Sequence, residues 1–305
     1  MPTDVNTSIH RYLKALYRDT NADVETLAIR WLKSGAPGKR TLTQLGNFTQ
    51  YDVSTVSGLV YWLACDANLF FTNVGGTTAV VNNGDSIAAW TDSVNGWLAT
   101  EATNPPTYTT DVLHGFPSAR FDGSNDLLSV AAAGVAMVRN VPGVTAICAF
   151  VPNNIGAAAN RMLWSVQISG TSMYNFQHNL TNAASAGGFV RALAADGGTT
   201  QTSSANAHVE DAAAVQTMWM DYTNKSLETF VNGTSVVGPT TTNTTAGNMA
   251  DSDASAIRVG RQANSAAAFF DGDMFELMVF NVALSTASRQ LVERYLGTKY
   301  GITVV

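Results

Sequence analysis

Apolar and polar positions along the chain follow two different rhythms. In residues 1 to about 50 the apolar positions recur every three or four residues: Ile9, Leu13, Leu16 and Tyr17, then Val24, Leu27, Ala28, Trp31 and Leu32. That spacing puts them on one face of a helix. Asn21 or Asp23 caps the second segment, and Gly35 with Pro37 ends it. The two segments repeat one pattern after 19 positions, Thr7 to Ala15 against Thr26 to Ser34, with Arg11-Tyr12-Leu13 matched by Arg30-Trp31-Leu32. Units this short cannot bury their own apolar faces, so they are expected to pack on each other or on a partner.

From Leu59 onward the rhythm changes to short apolar or alternating runs, the mark of strands. The clearest are Leu59–Ala64, Ser118–Phe121, Thr145–Val151, Arg161–Val166, Thr217–Tyr222, Leu227–Val231, Ala256–Val259 and Met274–Phe280. Asn82-Asn83-Gly84, Asp122-Gly123, Asp196-Gly197-Gly198, Asn232-Gly233 and Asp271-Gly272 between them carry turn chemistry. Val231-Asn232-Gly233-Thr234 predicts a hairpin, because Asn-Gly fits a type I′ turn. Many short strands without long intervening helices predict a mainly β sandwich or jelly roll. One terminal helix is expected, capped by Ser285, with Leu291, Val292, Tyr295 and Leu296 inward and Gly297 closing it. The chain thus divides into a helical segment, 1–50, and a β body, 59–305.

Composition sharpens this picture. Only 13% of the 305 residues are charged, about half the usual soluble level, while 46% are hydrophobic, which excludes a disordered chain. Residues 1–58 hold seven Lys/Arg against five Asp/Glu, and the remainder holds ten against eighteen. A mildly basic arm on an acidic body reads as anchor and head, or as ordinary solvated helix faces. No basic stripe is visible, so nucleic acid is not an expected partner. Neither a secretory leader nor a membrane-spanning run is visible. Made in the cytoplasm without an export signal, a protein that works outside needs a carrier, and a virus particle is one. The two cysteines, Cys65 and Cys148, sit in apolar runs and read as buried thiols, a disulfide requiring adjacent strands.

Three stretches now resemble a known family. Leu59-Val-Tyr-Trp62-Leu63-Ala-Cys-Asp66, Ala89-Trp90-Thr-Asp92-Ser93-Val-Asn95-Gly96 and Phe116-Pro117-Ser-Ala-Arg120-Phe121-Asp122-Gly123 look like the opening of a laminin-G-like, concanavalin-A-like jelly roll. Ile257–Arg261, Phe270–Ser285 and Val292–Gly301 are similar to its closing strands and helix. The resemblance covers about 59–305 and implies a concanavalin-A-like sandwich with a small N-terminal α-helical arm and a short C-terminal helix. It leaves function open, since this fold hosts lectins, adhesion domains and some glycosidases. The helical units in front are similar to N-terminal segments of tailed-phage structural proteins. That implies a virion protein docked through Arg11, Tyr12, Leu13, Arg30, Trp31 and Leu32, with other virion proteins and surface glycans as partners. A trimer would suit a projecting protein of this kind.

Glycosidases of this fold carry paired carboxylates on one strand. The nearest string is Asp271-Gly-Asp273-Met-Phe-Glu276, in which a regular strand puts Glu276 opposite the other two unless a bulge intervenes. Its first position is Asp rather than Glu, and other catalytic motifs are missing, so the expectation is a non-enzymatic chain with no catalytic residues. The four histidines, His10, His114, His178 and His208, are expected in loops or at the surface. Calcium is the candidate ion, since many laminin-G-like domains hold it at a rim, and Asp122, Asn125 and Asp126 share one turn. Turn-making by the same side chains is the competing reading. For sugar contact the loop candidates are Trp97, Tyr108, Tyr174 and His178, while Trp62, Trp90, Trp164 and Trp219 are assigned to the core. Two functions remain: a virion decoration protein whose jelly roll binds glycans, or a tail receptor-binding or polysaccharide-depolymerising protein.

Overall fold

The computed structural model describes residues 53–131, 134, 136–138, 141–153, 161–168, 174–181, 185–191, 199–204, 207–241, 254–263 and 267–305. Residues 1–50, expected to form a helical arm, and the expected docking residues Arg11, Tyr12, Leu13, Arg30, Trp31 and Leu32 lie outside the described residues. In chain order the strands are β1 (Leu59–Ala64), β2 (Phe70–Phe71), β3 (Ala89–Thr91), β4 (Leu98–Thr100), β5 (Thr107–Leu113), β6 (Phe116–Asp122), β7 (Leu128–Val130), β8 (Gly143–Pro152) and β9 (Arg161–Ile168). They continue with β10 (Tyr174–Thr181), β11 (Ser185–Arg191), β12 (Thr199–Ser204), β13 (Ala214–Asp221), β14 (Ser226–Val231), β15 (Thr234–Thr241), β16 (Ala254–Val259) and β17 (Asp271–Phe280). Helix α1 (Thr286–Tyr300) closes the chain.

The strands form two antiparallel sheets. One has eight strands in the order β15-β14-β13-β8-β17-β6-β5, with β1 also paired to β17; the other has nine, β12-β11-β10-β9-β16-β7-β4-β3-β2. Each sheet turns an apolar face to the other, and Phe121, Phe150 and Phe270 meet there edge to face, with centroids 5.8–5.9 Å apart. Helix α1 covers the outer face of the eight-stranded sheet. Strand β8 is therefore buried at every position, which explains its nearly continuous apolar run. Cys65 and Cys148 are free, buried thiols on segments separated by β17.

The Asn232-Gly233 hairpin forms as predicted, with φ of 51° and 83°. Two turn assignments need correction. Asp271-Gly272 opens β17 instead of making a turn; a Cβ on Gly272 would lie 2.2 Å from the Val151 carbonyl oxygen, so the glycine permits close strand approach. Helix α1 also runs a turn past Gly297 and ends at Gly301, whose φ is 71°. Gly297 is there because the returning tail packs on it: a Cβ would meet Val304 at 2.7 Å and the Ile302 carbonyl oxygen at 2.8 Å.

Strand β17 has an unusual edge. Residues Asp271 to Met274 pair with β6, whereas Glu276 to Phe280 pair with β1. The changeover falls at a register shift against β8 between Met274 and Glu276. The start of β6 and the end of β1 thus diverge from one point on the central strand, and the fork opens a gap in the sheet.

Candidate functional site

A cavity of about 460 Å³ lies at this fork. Its lining comes from the end of β1 and the segment after it (Trp62, Cys65, Asp66), from β5 and the start of β6 (Tyr108, Asp111, Phe116, Pro117), and from α1 (Tyr295, Lys299). The size falls within the roughly 300–1,000 Å³ of small-ligand clefts, and the aromatic walls are of the kind such sites use. The Cys65 thiol bridges the two prongs by donating to the Pro117 carbonyl. Burial pushes that thiol well above its ordinary pKa, and Lys299 offsets this in part, so it stays protonated.

Glu276 sits at the root of the fork with no exposed surface. Its Oε1 accepts from the Tyr300 hydroxyl at 2.8 Å and from the Lys299 ammonium, and its Oε2 accepts from the Trp62 indole N–H at 2.8 Å. Lys299 also reaches the Tyr295 hydroxyl at 3.3 Å. Burial alone would lower the lysine pKa, but Glu276 and Tyr295 outweigh it and raise the value. For Tyr300, burial and then the Glu276 charge both raise the pKa, so its hydroxyl is a permanent donor. The bulge makes this possible. Both Phe275, whose ring centroid is 5.1 Å from that of Tyr300, and Glu276 turn toward α1, although neighbours on a regular strand point to opposite faces.

Asp273 is held separately. It accepts from the Ser118 hydroxyl at 2.6 Å and from Arg120 Nε and Nη2 at 3.1 and 2.7 Å. Asp271 lies at the far end of β17, with Arg161 at 3.9 Å and Asp122 as its cross-strand partner. Its pKa is raised by burial, with Arg161 opposing and Asp122 adding to the rise. The three carboxylates of the string thus enter three different networks.

The residues proposed for calcium make the turn after β6. Asp122 Oδ1 accepts from the backbone N–H groups of Ser124, Asn125 and Asp126 at 2.8–3.3 Å, and Asp126 Oδ2 accepts from Asp122 N at 2.9 Å. Among the described residues no three His, Cys, Asp or Glu side chains group to hold a metal. The same side-chain oxygens are thus engaged in making the turn, as the competing reading expects. Burial, then the neighbouring Asp122, pushes the Asp126 pKa up to about 7.

The four sugar-contact candidates are dispersed. Tyr108 is buried on β5, lines the cavity and stacks edgewise on Phe70 at 5.7 Å. Trp97 packs half-buried against the core before β4, and Tyr174 and His178 belong to β10 in the other sheet. Trp62, expected in the core, is half-buried on the cavity wall, because it faces outward on β1 where the fork leaves the sheet uncovered. His208, expected at the surface, is 4% exposed and hydrogen-bonds Gln216 at 2.7 Å. Lys299 was missed. A lysine four residues after Tyr295, on the apolar side of a terminal helix, was the available signal for a buried cation needing a carboxylate.

This architecture defines a lectin-like β-sandwich. The structure of Trypanosoma rangeli sialidase in complex with sialic acid matches 79% of this chain and 33% of its own at 11% identity and a TM-score of 0.50. NanB sialidase from Streptococcus pneumoniae matches 55% of this chain and 26% of its own at 15% identity and a TM-score of 0.46. The CBM40 of Ruminococcus gnavus IT-sialidase, bound to α2,3-sialyllactose, matches 62% of this chain and 93% of its own at 16% identity and a TM-score of 0.43. The chain spans only about a quarter to a third of the sialidases it matches. No protein-family model matches the chain, and no curated protein matches it.

At such identities the likeness is one of fold. It lends nothing to the laminin-G assignment or to a phage origin. It does overturn the expectation of a non-enzymatic chain as a reading of the fold: the same fold occurs in the trypanosomal sialidase, whose match covers 79% of this chain. Among the described residues, no helix is long and apolar enough to cross a membrane.

Proposed function

We propose that the sandwich is the glycan-recognising part of a receptor-binding or polysaccharide-depolymerising protein, and that the fork cavity is where the glycan docks. The observation that carries this reading is the aromatic cavity beside the Glu276–Lys299 pair, in a fold also found in a sialidase. Trp62 and Tyr295 offer flat apolar surface to a sugar ring, while Asp66, Asp111 and Lys299 offer polar atoms to its hydroxyls. Residues 1–50 would anchor the protein to a phage particle alongside other virion proteins, and repeated copies would turn weak sites into firm attachment.

A glycan array probed with the full chain and with Trp62→Ala tests the recognition. Loss of a specific signal in the variant is expected, and equal signals from both proteins would overturn the cavity assignment. Immunogold labelling of purified particles tests the carrier: gold at the tail supports the reading, and unlabelled particles remove the virion from it.

A further inference from the structure

The charges around the cavity select among sugars. Lys299 is its one cation among the described residues, and that ammonium is already matched by Glu276. Asp66 and Asp111 add two carboxylates to the lining. Asp66 caps the 3-10 turn at Ala67–Leu69 through Oδ1, which accepts from the Asn68 backbone and side chain, each at 2.9 Å; among the described residues Oδ2 has no hydrogen-bond partner. Asp111 is exposed, with no hydrogen bond or ion pair to its carboxylate among the described residues. Glu276, just behind the lining, neutralises Lys299, so Asp66 and Asp111 leave a formal balance of −2.

Aromatic walls with a negative surplus suit a cation, which gains from the ring faces and from the carboxylates together. An acidic sugar would meet two unmatched carboxylates and a lysine already committed to Glu276. We propose that the cavity takes an amine-bearing sugar, a hexosamine with its nitrogen unacylated and protonated, stacked on Trp62 with the ammonium between Asp66 and Asp111. This rests on the reading of the cavity as a glycan site and specifies the ligand's charge.

The test is calorimetric titration of the full chain with glucosamine oligomers, their fully N-acetylated counterparts and 3′-sialyllactose. The glucosamine oligomers should bind most tightly, and added salt should weaken them as expected for a charge pair near the surface. Asp111→Asn should weaken binding about fivefold without touching the fold, since its φ of 56° is one Asn readily adopts. Asp66→Asn keeps the cap and should act similarly. Equal or tighter binding of the acetylated oligomer or of sialyllactose, sensitive to Trp62→Ala, would overturn the amine while leaving the cavity as a glycan site. Binding of none of the three probes would overturn the amine, and the Trp62→Ala array result decides separately whether the cavity binds glycan at all.

Discussion

The Tyr300 hydroxyl donates to Glu276 Oε1 at 2.8 Å, tying the last residue of the C-terminal helix to the bulge in the central strand. Lys299 and Trp62 converge on the same carboxylate, so helix, central strand and β1 meet at one buried charge.

Removing one member should cost much more than removing the ion pair together. Glu276→Gln or Lys299→Met alone leaves a buried charge unmatched and should destabilise by about 3–5 kcal/mol. The double variant should recover a substantial part of that loss. Urea denaturation of the three variants checks the coupling, and simple additivity would show that the pair is not a unit.

Arg120 should matter through its partner more than through its own burial. Its side chain is 46% exposed, while that of Asp273 is 2% exposed. Arg120→Ala leaves a buried carboxylate with Ser118 as its remaining side-chain donor among the described residues, at a cost of about 1–3 kcal/mol. Arg120→Lys keeps the charge but loses the two-pronged contact, and should fall between. Denaturation midpoints rank the three proteins.

Two groups tilt the pH dependence of stability in opposite directions. Burial lowers the His208 pKa to about 4 from 6.5, with Gln216 partly opposing. The folded value is below the unfolded one, so the stability from this group is present above pH 6.5 and lost as pH falls toward 4. The loss amounts to roughly 3 kcal/mol. Asp126 is raised from 3.8 to about 7, so its contribution is present below pH 3.8 and lost as pH rises through 7. His208→Gln should flatten the acid side of the stability profile, and Asp126→Asn the neutral side. Chemical denaturation between pH 4 and 8 reads both slopes, and an unchanged profile in either variant would remove that group.

Cys65 and Cys148 are the chain's two cysteines, 5% and 0% exposed, and burial raises both thiol pKa values. A thiol reagent should label neither in the native protein and both in denaturant. Labelling of Cys65 at native conditions, slowed by a cavity ligand, would show that the cavity opens as far as the Pro117 contact.

Much of the β body was legible in the sequence because strand burial and turn chemistry are local. Leu59–Ala64 has the observed bounds of β1, and Asn232-Gly233 supplies the positive φ pair that a tight hairpin requires. Ser285 begins α1 by accepting from Ser288 N, as its side chain predicts. Local signals erred where a glycine served packing instead of direction. Gly272 and Gly297 look like turn and stop, yet Gly272 admits the backbone of Val151, far away in sequence, and Gly297 admits the tail that folds back after Gly301.

The short apolar and alternating runs by themselves determined a mainly β sandwich closed by a helix, because a half-buried strand alternates and one covered on both faces, as β8 is, reads apolar almost throughout. Which carboxylates meet which cations was decided only by the tertiary structure. Glu276 lies 23 residues from Lys299 and 214 from Trp62, and one extra residue at Phe275 sets the face it takes. The cavity belongs to the same level: it exists because β6 and β1 share one edge of β17, a long-range pairing that no local pattern encodes.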